Sequence, residues 1–219
     1  MTRAQTPAAG TSARRSPASD AAVTQLALAA RDGDPARVDR LVRALHHDVR
    51  RYVTYLSADP QLADDLTQEV FLRALGALHR FAGRASARTW ILSIARRTVV
   101  DSHRRAAARP RIADRQDWQR AAEQTQRHDL PGFDEGIALT ELLSALSVER
   151  REAFVLTQIM GLPYAEAAAT VGCPVGTVRS RVARARIDLI GILSADDPRG
   201  TDRAAPPSRA GAPERVSVL

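Results

Sequence analysis

The chain has 219 residues, with 32 basic against 25 acidic side chains, a net charge of +7 and a single cysteine, Cys173. That length holds one domain or two small ones, and the positive balance suits a polyanionic partner. A lone cysteine excludes an intrachain disulfide and a cysteine-based zinc cluster, and no apolar run reaches the length of a membrane span.

All 32 basic residues are arginine. Arg is the better bidentate donor to phosphate and guanine, although an Ala- and Arg-rich composition is also what a GC-rich genome produces. The five histidines show no metal-ligand spacing, and GxGxxG, P-loop and GxSxG motifs are absent. The sequence therefore offers no catalytic residue, no metal site and no cofactor, and an enzyme is not expected. The first twenty residues lack the apolar core of a secretory signal, so the chain reads as cytoplasmic.

In chain order, residues 1–20 read as a disordered basic arm. From Ala21 the pattern is helical through Val23, Leu26, Ala27 and Ala30, with a break at Gly33–Pro35. Val38, Leu41, Val42, Leu45, Val49, Tyr52, Val53 and Leu56 then predict a second helix, ended by Asp59–Pro60. The stretch Leu62–Leu78 has an apolar face of Leu66, Val70, Phe71, Ala74, Leu75 and Leu78. Asp65, Gln68 and Glu69 gather opposite, with Leu72 exposed among them. Acids near a helix start are favoured by the dipole, so residue chemistry alone favours a solvated face over a docking surface.

Phe81–Ala87 is a loop of small residues, and a helix follows from Arg88 to Arg105. Trp90, Ile91, Ile94, Ala95, Thr98 and Val99 face one side; Arg96, Arg97, His103 and Arg104 share the other. Residues 106–136 are poor in apolar side chains and read as a linker, with Trp118 as a local anchor. Periodicity resumes at Ile137, and Ser147 is placed as the N-cap of a helix whose first turns carry Glu149 and Glu152. Phe154, Val155, Ile159 and Met160 give that helix its core side. Beyond Leu193 the chain is rich in Pro, Asp, Arg and Ala and reads as a disordered tail. No strand pattern occurs, so the fold class is all-α.

The segment LPYAEAAATVGCPVGTVRSRVARAR, residues 162–186, reads as a short helix, a turn at Gly172 and a second helix opened by Pro174. That is the helix-turn-helix pattern. On the second helix Val178, Val182, Ala185 and Leu189 fall within an arc of roughly 40°. Gly176, Thr177, Ser180, Ala183 and Arg184 lie opposite, flanked by Arg179, Arg186 and Arg181. Small and hydroxylic residues around a central Arg suit base edges in a major groove, with the flanking Arg on phosphates.

These residues resemble a family. DDLTQEVFLRAL, TWILSIARRTVVDSHRR and SVERREAFVLTQIMGLPYAEAAATVGCPVGTVRSRVARAR, in that order around a variable linker, are similar to the extracytoplasmic-function (group IV) sigma factors of the sigma-70 family. CPVGTVRSRVARAR is most similar to actinobacterial members of the sigma C kind. The resemblance implies two small helical domains, region 2 over residues 21–107 and region 4 over 137–193, joined by a linker at 108–136 and followed by a tail at 194–219. It implies core RNA polymerase (its β′ clamp helices and β flap) and promoter DNA as partners, with an anti-sigma factor as a further candidate. Asp65, Gln68, Glu69 and Leu72 then become polymerase contacts, reversing the solvated-face reading.

On the same resemblance, Arg84, Ser86, Arg88, Trp90, Arg96, Arg97 and Arg104 would serve opening and reading of the −10 element. Thr177, Arg179, Ser180, Arg181, Arg184 and Arg186 would serve the −35 element. The chain departs from the family pattern in having Ser147–Val148 where a Pro is usual, and in a loop, FAGRASA, without the acid and amide side chains some members place near a flipped base. The alternative function is a stand-alone helix-turn-helix regulator, whose mark would be a ligand pocket or dimer seam in residues 21–105.

Overall fold

A computed structural model describes residues 17–108 and 133–195. The arm before Pro17, the linker stretch containing Trp118 and the tail after Ala195 lie outside the described residues. Among the described residues all regular structure is helical.

Helix α1 spans Pro17–Ala29, starting before the expected Ala21. A single 3-10 turn, Ala30–Asp32, then ends at Gly33, whose φ of 81° closes the turn. Helix α2, Pro35–Ser57, is capped by the Asp34 side chain, which accepts from the Arg37 N–H at 2.8 Å. Pro35 fits the first turn because its missing N–H would have had no helical partner. Helix α2 ends at a left-handed Ala58 (φ 56°), and Asp59 caps α3, Pro60–Ala77, accepting from the Gln61 N–H at 2.9 Å. Helix α4 spans Ala87–Ala108, and its first N–H, that of Ala87, is satisfied from a distance by Thr24 Oγ1 of α1 at 3.0 Å. Leu45, Val49, Tyr52 and Val53 of α2, Val70 of α3, and Ile91, Leu92 and Val99 of α4 are fully buried together. Each such aliphatic side chain contributes about 1.5–3 kcal/mol.

The second unit begins with α5, Phe133–Ser144, and α6, Val148–Phe154. Ser147 stands at the N-cap of α6 as expected, but its hydroxyl makes no capping bond. Helix α6 runs into a π turn, Val155–Ile159, closed by Met160 N–H on the Val155 carbonyl at 2.8 Å. The wider turn rotates the core face away from the simple helical periodicity. Leu156 and Thr157 are buried, whereas the expected Phe154 and Ile159 pack only partly. Helix α7, Tyr164–Val171, ends at Gly172 with φ 76°, and α8 spans Val175–Ala195.

The two units pack on each other, α4 against α7 and α2 against α5, α6 and the π turn. No helix among the described residues is long and apolar enough to cross a membrane.

Gly172 isolates one backbone requirement, because a Cβ there would meet nothing within 4 Å and only the left-handed φ opposes it. Gly172→Ala should cost ~1 kcal/mol from backbone conformation alone, and Gly172→Asn less. Thermal melts of the two variants check this; an Ala variant as stable as the parent would show that the turn relaxes to negative φ.

Candidate nucleic-acid interface

Helix α8 is seated by its apolar stripe. Val178, Val182, Ala185 and Leu189 are all buried, the four residues that the helical wheel puts on one side. Arg179, Ser180, Arg184 and Arg186 are exposed, and Thr177 is half-buried. Arg186 donates to Gln158 Oε1 at 2.7 Å, and the Arg179 guanidinium sits 6.0 Å from the centre of the Tyr164 ring. Arg181 turns inward, its Nη1 lying 3.8 Å from Cys173 Sγ. Arg184 therefore remains at the centre of an outward face made of short side chains.

Helix α4 carries the second candidate face, and here the structure divides the expected residues. Arg84, Arg97 and Arg104 are exposed; Arg97 also donates to the Ser93 carbonyl at 3.1 Å. Trp90 is half-buried and lies against Phe81, ring centres 4.9 Å apart. Arg88 is buried. Its Nε donates to Asp48 Oδ2 at 2.8 Å and its Nη2 to the Met160 carbonyl at 2.8 Å, so in this conformation its guanidinium faces the second unit and not solvent.

Arg96 and Ser86 also meet the second unit. Arg96 Nε donates to Glu152 Oε1 at 2.5 Å, and the Tyr52 hydroxyl donates to the same oxygen at 3.2 Å. Glu152 is 3% exposed. Burial pushes its carboxyl above the ordinary range, partly offset by Arg96, by the hydrogen bonds and by the field of Arg181. Burial, then the Glu152 charge, pushes the Tyr52 hydroxyl well up. Arg151 beside it reaches the carbonyls of Ser144 at 2.8 Å and Leu146 at 3.2 Å, while its buried Nε has no partner. Ser86 Oγ lies 3.1 Å from Glu166 Oε2, and Thr89 Oγ1 bonds to the same carboxylate oxygen.

Sequence reasoning did not single out Tyr52, Asp48, Thr89 or Glu166, and it took Glu152 as a helix-start acid. Their partners are on other helices, so local pattern carries no signal for them.

The acidic face of α3 is a third surface. Asp65 and Gln68 are exposed, and Glu69 is half-buried. Leu72 is 62% exposed beside them, with Leu62 and Leu75 also exposed. Arg73 ties this face to α4, donating to Glu69 at 2.7 Å and to Asp101 at 3.1 Å. Those two hydrogen bonds raise the Arg73 pKa. A further apolar stripe, Ile187, Ile190 and Leu193, lies open on the outer end of α8. Among the described residues no group of three or more His, Cys, Asp or Glu gathers as a metal site.

Comparison with known proteins places this geometry. The sequence matches the profile of sigma-70 region 2 over residues 41–109 and that of sigma-70 region 4 over residues 137–189. It is 48% identical over 181 residues to the probable RNA polymerase sigma-C factor of Mycobacterium bovis, covering 83% of this chain and 96% of that protein. The extracytoplasmic-function sigma factor SigM of Mycobacterium tuberculosis is 33% identical over 161 residues, 74% of this chain and 79% of its own. Among solved structures, CnrH in complex with the cytosolic domain of CnrY superposes with a TM-score of 0.63 at 27% identity, over 80% of this chain and 99% of that one. RpoE of Bartonella quintana shares the fold, with a TM-score of 0.56 at 24% identity over 73% and 98% of the two chains.

The buried carboxyl has a pH signature. Because its pKa is raised in the folded chain, the folded state binds this proton more tightly than the unfolded state does. Its contribution is then fullest below the ordinary carboxylate value and falls as pH rises through the raised one. Melts of wild type and Glu152→Gln across that window should show the Gln variant gaining on wild type as pH rises. A flat or opposite trend would mean that Arg96, not burial, governs this carboxyl.

Proposed function

The chain belongs to the extracytoplasmic-function sigma factors of the sigma-70 family, and from that premise we propose that it binds core RNA polymerase and directs initiation at promoters by reading a −10 and a −35 element. Its work is binding and strand separation, and we assign it no bond-making step. The observation that carries the reading is the division of α8 into a fully buried apolar stripe and an exposed face centred on Arg184. A helix held in that way presents the face around Arg184 to a major groove.

In this reading Arg184 reads a base edge, Thr177 and Ser180 lie close to the groove floor, and Arg179 and Arg186 hold backbone phosphates, while Arg181, turned toward Cys173, is not assigned to the backbone. The basic side of α4 (Arg96, Arg97 and Arg104), with Arg84, Ser86 and Trp90 at its start, serves the −10 element, whereas Arg88, buried between Asp48 and the Met160 carbonyl, is not assigned to it. Opening costs a few kcal/mol of stacking, offset by contacts to the extruded base and by cations along the strand. The acidic face of α3 supports docking on the polymerase β′ clamp helices through Asp65, Gln68, Glu69 and Leu72. The open stripe of Ile187, Ile190 and Leu193 supports a second contact, with the β flap. Region 2 and region 4 are proposed as the two functional units, at 21–107 and 137–193, and the setting as cytoplasmic. CnrH is known bound to the cytosolic domain of CnrY, which supports including an anti-sigma factor among the partners.

Run-off transcription with purified core polymerase on a promoter library tests the function: transcripts that depend on this chain are expected. Binding to DNA without any such transcript would favour a stand-alone helix-turn-helix regulator.

Two finer outcomes follow. Arg184→Ala should weaken −35 recognition by ~1–3 kcal/mol and relax preference at one base position. Arg179→Ala should instead weaken all sequences alike and flatten the salt dependence; identical base preference and salt slope in both would reject these assignments.

On α3, Asp65→Ala with Glu69→Ala should leave the melt within ~0.5 kcal/mol while weakening polymerase binding about tenfold or more. Leu72→Ala should add to that loss. Unchanged binding alongside an unchanged melt would return the face to solvent.

A further inference from the structure

Helix α1 holds the loop in front of α4 at two points. Thr24 Oγ1 accepts from the Ala87 N–H at 3.0 Å, across 63 residues of sequence. One turn further along α1, Leu28 lies against Gly83: a Cβ at that glycine would stand 3.3 Å from Leu28 Cδ1. Gly83 has a φ of 67°, a left-handed conformation that glycine adopts without strain. Between the two points lie only Arg84, Ala85 and Ser86, and Arg84 is exposed.

We propose that Thr24 and Leu28 are positioning residues for −10 recognition: they fix the path of residues 84–86, and so the placement of the Arg84 side chain against the extruded base. This rests on the sigma-factor reading and deepens it. It adds to the site a helix that precedes residues 41–109, the stretch matched to region 2.

The bonding of Thr24 suits that task. Its hydroxyl donates to the Asp20 carbonyl at 2.7 Å, which leaves the oxygen's lone pairs for the Ala87 N–H. Ala87 is fully buried, so its N–H has no access to water and needs an acceptor from the protein. Ser86 Oγ accepts from the Thr89 N–H at 3.1 Å and so caps α4 locally. Thr24 does something else: it ties the end of the loop to a different helix.

Helix α1 is itself held independently of the loop. Ala27 and Ala30 are fully buried in the core, and Arg37 Nη1 donates to the Ala29 carbonyl at 3.0 Å, tying the end of α1 to α2. A firm helix that touches the loop at both ends leaves the three residues between few conformations to sample. Groups that discriminate one base from another must hold their geometry to within about 0.5 Å. An Arg on a loosened loop keeps its attraction to the strand but loses that geometry, because phosphate attraction carries no sequence information. Releasing the loop should therefore cost base preference at the −10 element and leave the −35 element untouched.

The test is transcription by the full chain with core polymerase on two promoter libraries, one randomised at the −10 element and one at the −35 element, with the transcripts sequenced. Thr24→Val keeps the side-chain shape and removes the acceptor. It should lower −10 base preference roughly threefold to tenfold at one or two positions, part of what a well-placed bidentate contact provides, with −35 preference as in wild type. Thr24→Ser keeps the oxygen and should restore the preference, and Leu28→Ala should relax the same positions from the other end of the loop. Amide exchange of Ala87, followed by NMR on the full chain, should accelerate about tenfold in Thr24→Val.

Wild-type −10 preference in both Thr24→Val and Leu28→Ala would overturn the proposal, even with faster exchange at Ala87. So would an equal relaxation at the −35 element, which would mean general loosening, or a Thr24→Ser variant that behaves like Thr24→Val. Arg84→Ala keeps the two readings apart. Preference lost there but kept in the α1 variants removes the positioning role and leaves the sigma reading standing. A wild-type chain that supports no transcript removes the sigma reading, and the positioning role with it.

Discussion

The arrangement of the molecule depends on one buried carboxylate. Glu152 lies between the two units and accepts from Tyr52 of α2 and Arg96 of α4. Around it, Arg88 joins Asp48 to the Met160 carbonyl, so that a second cation bridges the same boundary. A buried charge left unpaired costs several kcal/mol, whereas a paired one roughly breaks even against an apolar contact. Such groups add little to stability, yet they penalise every arrangement in which one lacks its partner. They hold the relative placement of α2, α4 and α6 more firmly than they hold the fold.

That distinction explains which features were legible in the sequence. The apolar stripe of α8, the left-handed Gly172 and the all-α class follow from residues three to five positions apart, and the structure bears out each of them. The core side of α6 was only partly legible, because a π turn at Val155–Ile159 shifts the register after the helix has begun. The pairs that join the units were not legible at all. Arg88 meets Asp48 forty residues away in sequence, and Tyr52 meets Glu152 a hundred residues away. Composition shows a basic run in α4, but nothing local indicates that three of its expected DNA-facing residues, Ser86, Arg88 and Arg96, are held by the second unit. Ser147 illustrates the reverse case: its position marks the start of α6, yet its hydroxyl makes no capping bond.

The third surface shows how separate functions are kept in register. Arg73 holds Glu69 on the acidic side of α3 and Asp101 on α4 at the same time. Exposed pairs of this kind contribute only fractions of a kcal/mol, so their value here is geometric. A surface proposed to dock on polymerase and a helix proposed to hold the −10 strand are thus linked by one guanidinium at the surface, in addition to their packing in the core.

The same economy applies between the units. Donors on α4 that are covered where the units meet need acceptors there. Glu152 and Glu166 of the second unit meet that need for Arg96 and Thr89. Arg96 and the Thr89 hydroxyl therefore each have a charged acceptor across the boundary, whereas Arg151 Nε beside them has none. An apolar interface of equal area would join the units without fixing which donor faces which acceptor. The polar character of the boundary thus specifies how α4 meets α6 and α7 more than how tightly it does so.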